Sequence, residues 1–179
     1  MMSKNISLII VLILIEFATI PALPSIIDNV AFEQNGHTIE NEINSENVYD
    51  ESPDCVKMYM SIEKYSNEYD IPIRYAFGIA WAETRYEGPF DWTYNPALES
   101  SAGALGPMQI MPGTARLIWG EDIPREKLIS DIDFNVETSM KLLRRLYDKY
   151  EDWQIVFGCY NTGQPMINGY ARKVYKFKE

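Results

Sequence analysis

Apolar positions change their rhythm twice along this chain. Residues 6–15 are apolar apart from Ser7, with Lys4 ahead and Glu16 and the stretch Ile20-Pro21-Ala22-Leu23-Pro24 behind. The run is shorter than the roughly 20 residues that span a bilayer. It predicts an export signal over residues 1–24, with Ala22 as the small residue near a cleavage point, or else a retained membrane tether through residues 6–20. From 25 to 53 apolar residues are scattered among Asn, Glu and Ser, without a sustained period. Such a segment buries too little surface to offset its ordering entropy, so a flexible linker is expected there.

Beyond Pro53 the period becomes helical. Cys55, Met58, Tyr59, Ile62, Tyr65 and Tyr69 recur at steps of three and four, which predicts a helix over 54–69 with Asp54 as its cap. A second helix is expected from Pro72 to Arg85 through Ile73, Ala76, Phe77, Ala80 and Trp81. Residues 86–106 read as loop, punctuated by Gly88-Pro89, Asn95-Pro96 and Gly103 to Gly106. Helical spacing returns at 108–111, at 114–119 and in the stripe Val136, Met140, Leu143, Tyr147 and Tyr150. Another helix is predicted from the cap Asp152 to Gly163, and a basic one over 171–177. No strand alternation is visible, so the class is mainly α, with one domain over 54–179.

Charge sharpens this division. The net charge of −10 is concentrated in residues 25–52, which hold seven acids and no Lys or Arg. Residues 53–179, with 15 bases and 18 acids, are close to neutral. Neither part offers the basic footprint of a nucleic-acid binder. His37, the only histidine, falls in the linker, so the folded part has no imidazole for triad or metal chemistry. No metal site or cofactor is expected.

Acid-base work then falls to carboxylates, Tyr or Lys. Glu83 stands out because its helical face is shared with Ala76, Ile79 and Ala80. A carboxyl among apolar neighbours holds its proton to higher pH. At a fraying helix end the same residue would simply face water, and position alone leaves both readings open.

Three segments, in order, resemble the lytic transglycosylases of the lysozyme-like superfamily. Ile79-Ala80-Trp81-Ala82-Glu83-Thr84 is similar to the end of the helix that carries that family's catalytic Glu. Residues 100–115, with Gly106-Pro107-Met108-Gln109-Ile110-Met111-Pro112, resemble its Gly-Leu-Met-Gln-Ile-Met-Pro signature. Cys159-Tyr160-Asn161-Thr162-Gly163 resembles its Ala-Tyr-Asn-Ala-Gly motif.

The resemblance implies a lysozyme-like α fold of the goose-type and transglycosylase kind, acting as a monomer on peptidoglycan outside the cytoplasm. It implies cleavage of the β-1,4 bond between N-acetylmuramic acid and N-acetylglucosamine, closing a 1,6-anhydro ring. Glu83 would be the general acid and then the base. Tyr160 would place its hydroxyl on that carboxyl, and Ser100, Met108, Gln109 and Asn161 would line the cleft. Departures are Thr84 for Ser, Pro107 for Leu, and Gly158 and Cys159 where Ala is common. The loop after Glu83 is also longer than the family's and carries Phe90, Trp92 and Tyr94, which either wall the glycan groove or anchor the loop to the core.

Rival readings are a goose-type hydrolase using Asp91 or Glu99 to position water, and a silent glycan-binding module. The cysteines leave two options. A Cys55–Cys159 disulfide would close a loop of about 105 residues and add about 4 to 5 kcal/mol, while the alternative is two buried thiols.

Overall fold

The computed structural model describes residues 45–178, so the predicted signal and most of the predicted linker lie outside the described residues. Eight helices make up the described part: α1 (Ser45–Glu51), α2 (Asp54–Glu68), α3 (Ile73–Thr84), α4 (Pro112–Trp119), α5 (Arg125–Ser130), α6 (Ile132–Tyr150), α7 (Trp153–Thr162) and α8 (Gly169–Tyr175). Extended pairing among the described residues is limited to isolated bridges, Leu105 to Glu99 and to Ile110. The mainly α class expected from the periodicity is what the structure shows.

The helix ends follow their sequence signals. Asp131 caps α6 by accepting from the Phe134 amide, and Asp152 caps α7 by accepting from Gln154 and Ile155. Gly163 ends α7 in the left-handed region at φ 74°. Pro53, not Asp54, is the residue before α2; it offers no side-chain cap, and Asp54 sits in the first turn.

α3 runs between α2 and α8, while α6 packs on α2, α7, α5 and α4. The core between them holds Met58, Ile62, Ala76, Ile79, Ala80, Val136, Met140, Leu143, Val156 and Phe157, all fully buried. Tyr75 ties three helices together, packing on Trp153, Phe157 and Tyr175 at ring separations of 5.1, 4.9 and 5.9 Å.

Three expectations need correction. Residues 108–111 are not helical: Gln109 sits at φ 52°, and Leu105 and Ile110 exchange backbone hydrogen bonds of 3.0 and 2.9 Å. The expected linker ends in a helix, because the Tyr49 hydroxyl meets Ser61 on α2 at 3.0 Å, a tertiary anchor that a polar window conceals. Cys55 and Cys159 are both buried free thiols and form no disulfide. The Cys55 thiol donates to the Pro89 carbonyl at 3.3 Å.

Candidate active site

Glu83 lies in the last turn of α3, which stops at Arg85 in the left-handed region, φ 61°. Ala76, Ile79 and Ala80 on its face are fully buried, and the Glu83 side chain is partly buried at the end of that apolar stripe. Burial raises its pKa above the ordinary carboxylate range, and a hydrogen bond from Tyr170 pulls it partly back. That bond runs from the Tyr170 hydroxyl to Glu83 Oε1 at 2.6 Å. Among the described residues no ion pair involves Glu83.

The phenol beside Glu83 therefore differs from the one expected. Tyr160 donates instead to the Met108 carbonyl at 2.7 Å and, its single proton spent, accepts from Ser139 Oγ at 2.9 Å. Its hydroxyl is buried, its pKa raised first by that burial and then by the charge of Glu83, so it stays a neutral phenol. Tyr170 is likewise held neutral by burial and by Glu83, and acts only as a donor. Its signal was in the sequence: Asn168 is a good N-cap, and a helix begun there puts Tyr170 four residues before Val174, on the inward face.

The segment 105–109 is shaped by a buried hub. Asn135 on α6, fully buried, donates to the Leu105 and Leu128 carbonyls at 2.9 and 2.7 Å and accepts from the Met108 amide at 2.9 Å. Gly106 sits directly over it at φ 73°, where an added Cβ would lie 2.2 Å from the Leu128 carbonyl and 2.5 Å from the Asn135 amide nitrogen. Only glycine fits that turn. Thr84 then fastens the turn to α3, donating to the Pro107 carbonyl at 2.9 Å. Substituting Thr for Ser keeps this hydroxyl, and Pro107 contributes through its carbonyl, which needs no amide proton.

The remaining expected residues take mixed positions. Met108 is 0% exposed, so its side chain fills the core and only its backbone reaches Tyr160. Gln109 is half-buried, its amide donating to Gly106 and Leu98 carbonyls at 2.9 and 3.3 Å. Ser100 Oγ accepts from the Ala104 amide at 3.0 Å within the loop's own turn. Asn161 is exposed, and its Oδ1 accepts from Asn168 Nδ2 at 3.1 Å. Since Asn168 also caps α8 through Ala171 N at 2.8 Å, Asn161 helps aim the helix that carries Tyr170. Among the described residues no group of three or more His, Cys, Asp or Glu could hold a metal ion.

The two acids of the hydrolytic reading are engaged elsewhere. Glu99 pairs with Arg125. Asp91 Oδ1 accepts from both the amide and the hydroxyl of Thr93, at 3.2 and 2.8 Å.

The chain is similar to known proteins. Over 108 residues the chain is 32% identical to the soluble lytic murein transglycosylase of Escherichia coli strain K12, covering 56% of this chain and 15% of that protein. The chain thus spans less than a sixth of that curated relative's length. The crystal structure of the 70-kDa soluble lytic transglycosylase from Escherichia coli superposes with a TM-score of 0.49 at 25% identity, over 64% of this chain and 18% of that one. That of the inactive E503Q mutant of lytic transglycosylase Slt from Pseudomonas aeruginosa gives 0.49 at 21% identity, over 67% and 18%. The transglycosylase SLT domain model matches residues 60–179, two thirds of the chain, and the chain belongs to that family.

Proposed function

We propose that residues 54–179 form a peptidoglycan lytic transglycosylase domain with Glu83 as its single acid and base. The observation that carries this is the carboxyl at the end of α3, raised in pKa by burial and held in place by the Tyr170 hydroxyl at 2.6 Å. In this reading Glu83 protonates the oxygen between N-acetylmuramic acid and N-acetylglucosamine as the C1–O4 bond breaks. The muramoyl C6 hydroxyl then bonds to C1 and returns its proton to Glu83. Protons and bonds balance within the sugar and one carboxyl, so neither water nor a metal enters.

A carboxyl whose pKa burial raises suits the first half of this cycle, and a neutral phenol that donates to the carboxylate suits the second. Engagement of Asp91 and Glu99 in local contacts favours this route over one in which a loop acid activates water. Ser100, Gln109 and Asn161 are proposed to border the cleft, Ser100 and Gln109 through loop geometry and Asn161 through its hold on α8. Murein action is what the curated relative's name records, and a murein substrate supports the reading of this chain as an exported protein. Glu83→Gln should lower release of soluble fragments from purified sacculi by a thousandfold or more, on the order expected for loss of general acid-base catalysis. Retention of near-wild-type turnover would contradict the proposal.

A further inference from the structure

The loop between α3 and the 105–109 turn is tied down along its length yet presents two rings to water. Its backbone closes through Asp91 N to Gly88 O at 3.3 Å, Trp92 N to Phe90 O at 3.1 Å and Tyr94 N to Asp91 O at 3.0 Å. Asp91 holds Thr93, and the Cys55 thiol holds Pro89. Tyr94, half-buried, meets Tyr86 edge-on at 4.9 Å and, because Thr84 has given its proton to Pro107, donates to Thr84 at 3.1 Å. Two of the loop's four aromatics, Tyr94 and the buried Tyr86, are thus anchors. The other two are not: Phe90 is 81% exposed and Trp92 68%.

Burying rings of this size is worth about 1.5 to 3 kcal/mol each, and the fold leaves that gain uncollected. Single exposed apolar residues are ordinary. Two large, mostly exposed aromatics in alternate positions of a hydrogen-bonded loop leave ring faces that a ligand can cover. We propose that Phe90 and Trp92 form a glycan-stacking platform that extends the cleft beyond the reacting bond, an inference that rests on the peptidoglycan reading above.

Position and charge favour a saccharide as occupant. Tyr94 is fastened to Thr84, the residue after Glu83, and the Trp92 Cα lies within about 7 Å of the Tyr94 Cα by chain length alone. Residues 86–94 carry Glu87 and Asp91 and no Lys or Arg, the wrong sign for an anionic lipid surface. A protein partner needs about 800 Å² on each side, more than two rings provide. A saccharide ring needs only an aromatic face for its C–H side and acceptors nearby for its hydroxyls, and the carboxylates of Glu87 and Asp91 are such acceptors.

The test uses Glu83→Gln protein, to stop turnover, cosedimented with purified sacculi, with and without Phe90→Ala and Trp92→Ala together. The platform predicts about a tenfold or greater loss of affinity at unchanged Tm, with Trp92→Phe alone retaining binding. Equal affinity of the double variant would overturn the platform while leaving the substrate reading intact. A loss of binding matched by a fall in Tm would overturn it too, as would ring-dependent binding to phosphatidylglycerol vesicles with none to sacculi. Failure of the Glu83→Gln parent itself to sediment with sacculi would overturn the substrate reading and the platform together.

Discussion

In the proposed reaction Glu83 has to hold a proton and then release it, and its surroundings pull it both ways. Burial favours the neutral acid, and the Tyr170 hydroxyl favours the anion. Removing that hydroxyl leaves burial unopposed, so Tyr170→Phe should raise the Glu83 pKa further. Because the first step needs the protonated acid, the alkaline limb of the turnover profile should move to higher pH. Turnover should also fall by about tenfold or more, since a hydrogen bond to a charged group is worth about 1.5 to 3 kcal/mol. A pH-rate profile checks both, and an unmoved limb would place Tyr170 outside the acid's electrostatics.

The same residue leaves a mark on stability. A carboxyl whose pKa is raised on folding contributes fully below its unfolded value, and that contribution is lost as pH rises through the folded value. Glutamine does not titrate. The Tm of Glu83→Gln should therefore match wild type near about pH 4 and exceed it near about pH 7. Thermal melts at the two pH values decide it, with a constant difference as the contrary result.

Among the elements, α7 and α8 depend on one missing side chain. A Cβ on Gly158 would lie 1.6 Å from the Met166 carbonyl oxygen and 2.7 Å from its carbon, so the chain between the two helices passes directly over the α7 backbone. Glycine at 158, where the sequence resemblance has alanine, admits the segment that leads to Asn168 and Tyr170. Alanine normally gains about 1 kcal/mol over glycine inside a helix. Here the clash is with backbone, which cannot rotate away. Gly158→Ala should therefore lower stability by more than about 2 kcal/mol and weaken turnover through Tyr170, as read by denaturant melts beside an activity assay.

How legible these elements were depended on where their signals lay. α2, α3, α6 and α7 were readable because their apolar stripes are local, and α7 also carries its side-chain cap at Asp152. α5 was missed, as a six-residue helix gives only Leu128 to the core. The 108–111 segment misled, since its apolar spacing is helical while its conformation is dictated by Asn135, 27 residues away from Met108. Likewise Glu83 could be singled out from its own helical face, whereas the choice of Tyr170 over Tyr160 depends on how α7 and α8 meet α3.

For the molecule as a whole, the helical domain carries little net charge, with most of the excess acid in residues 25–52. Attraction to a charged polymer is therefore weak, so the proposed contact with glycan has to come from the cleft and the aromatic platform proposed beside it. What the proposed function commits to chemically is bond cleavage in which the sugar's own hydroxyl replaces water. Mass spectrometry of purified sacculi digested with the wild-type protein tests this most directly. The account predicts muropeptides ending in 1,6-anhydro-N-acetylmuramic acid, one water lighter than hydrolytic products and unchanged by borohydride. Products with a free reducing end that borohydride reduces would contradict it.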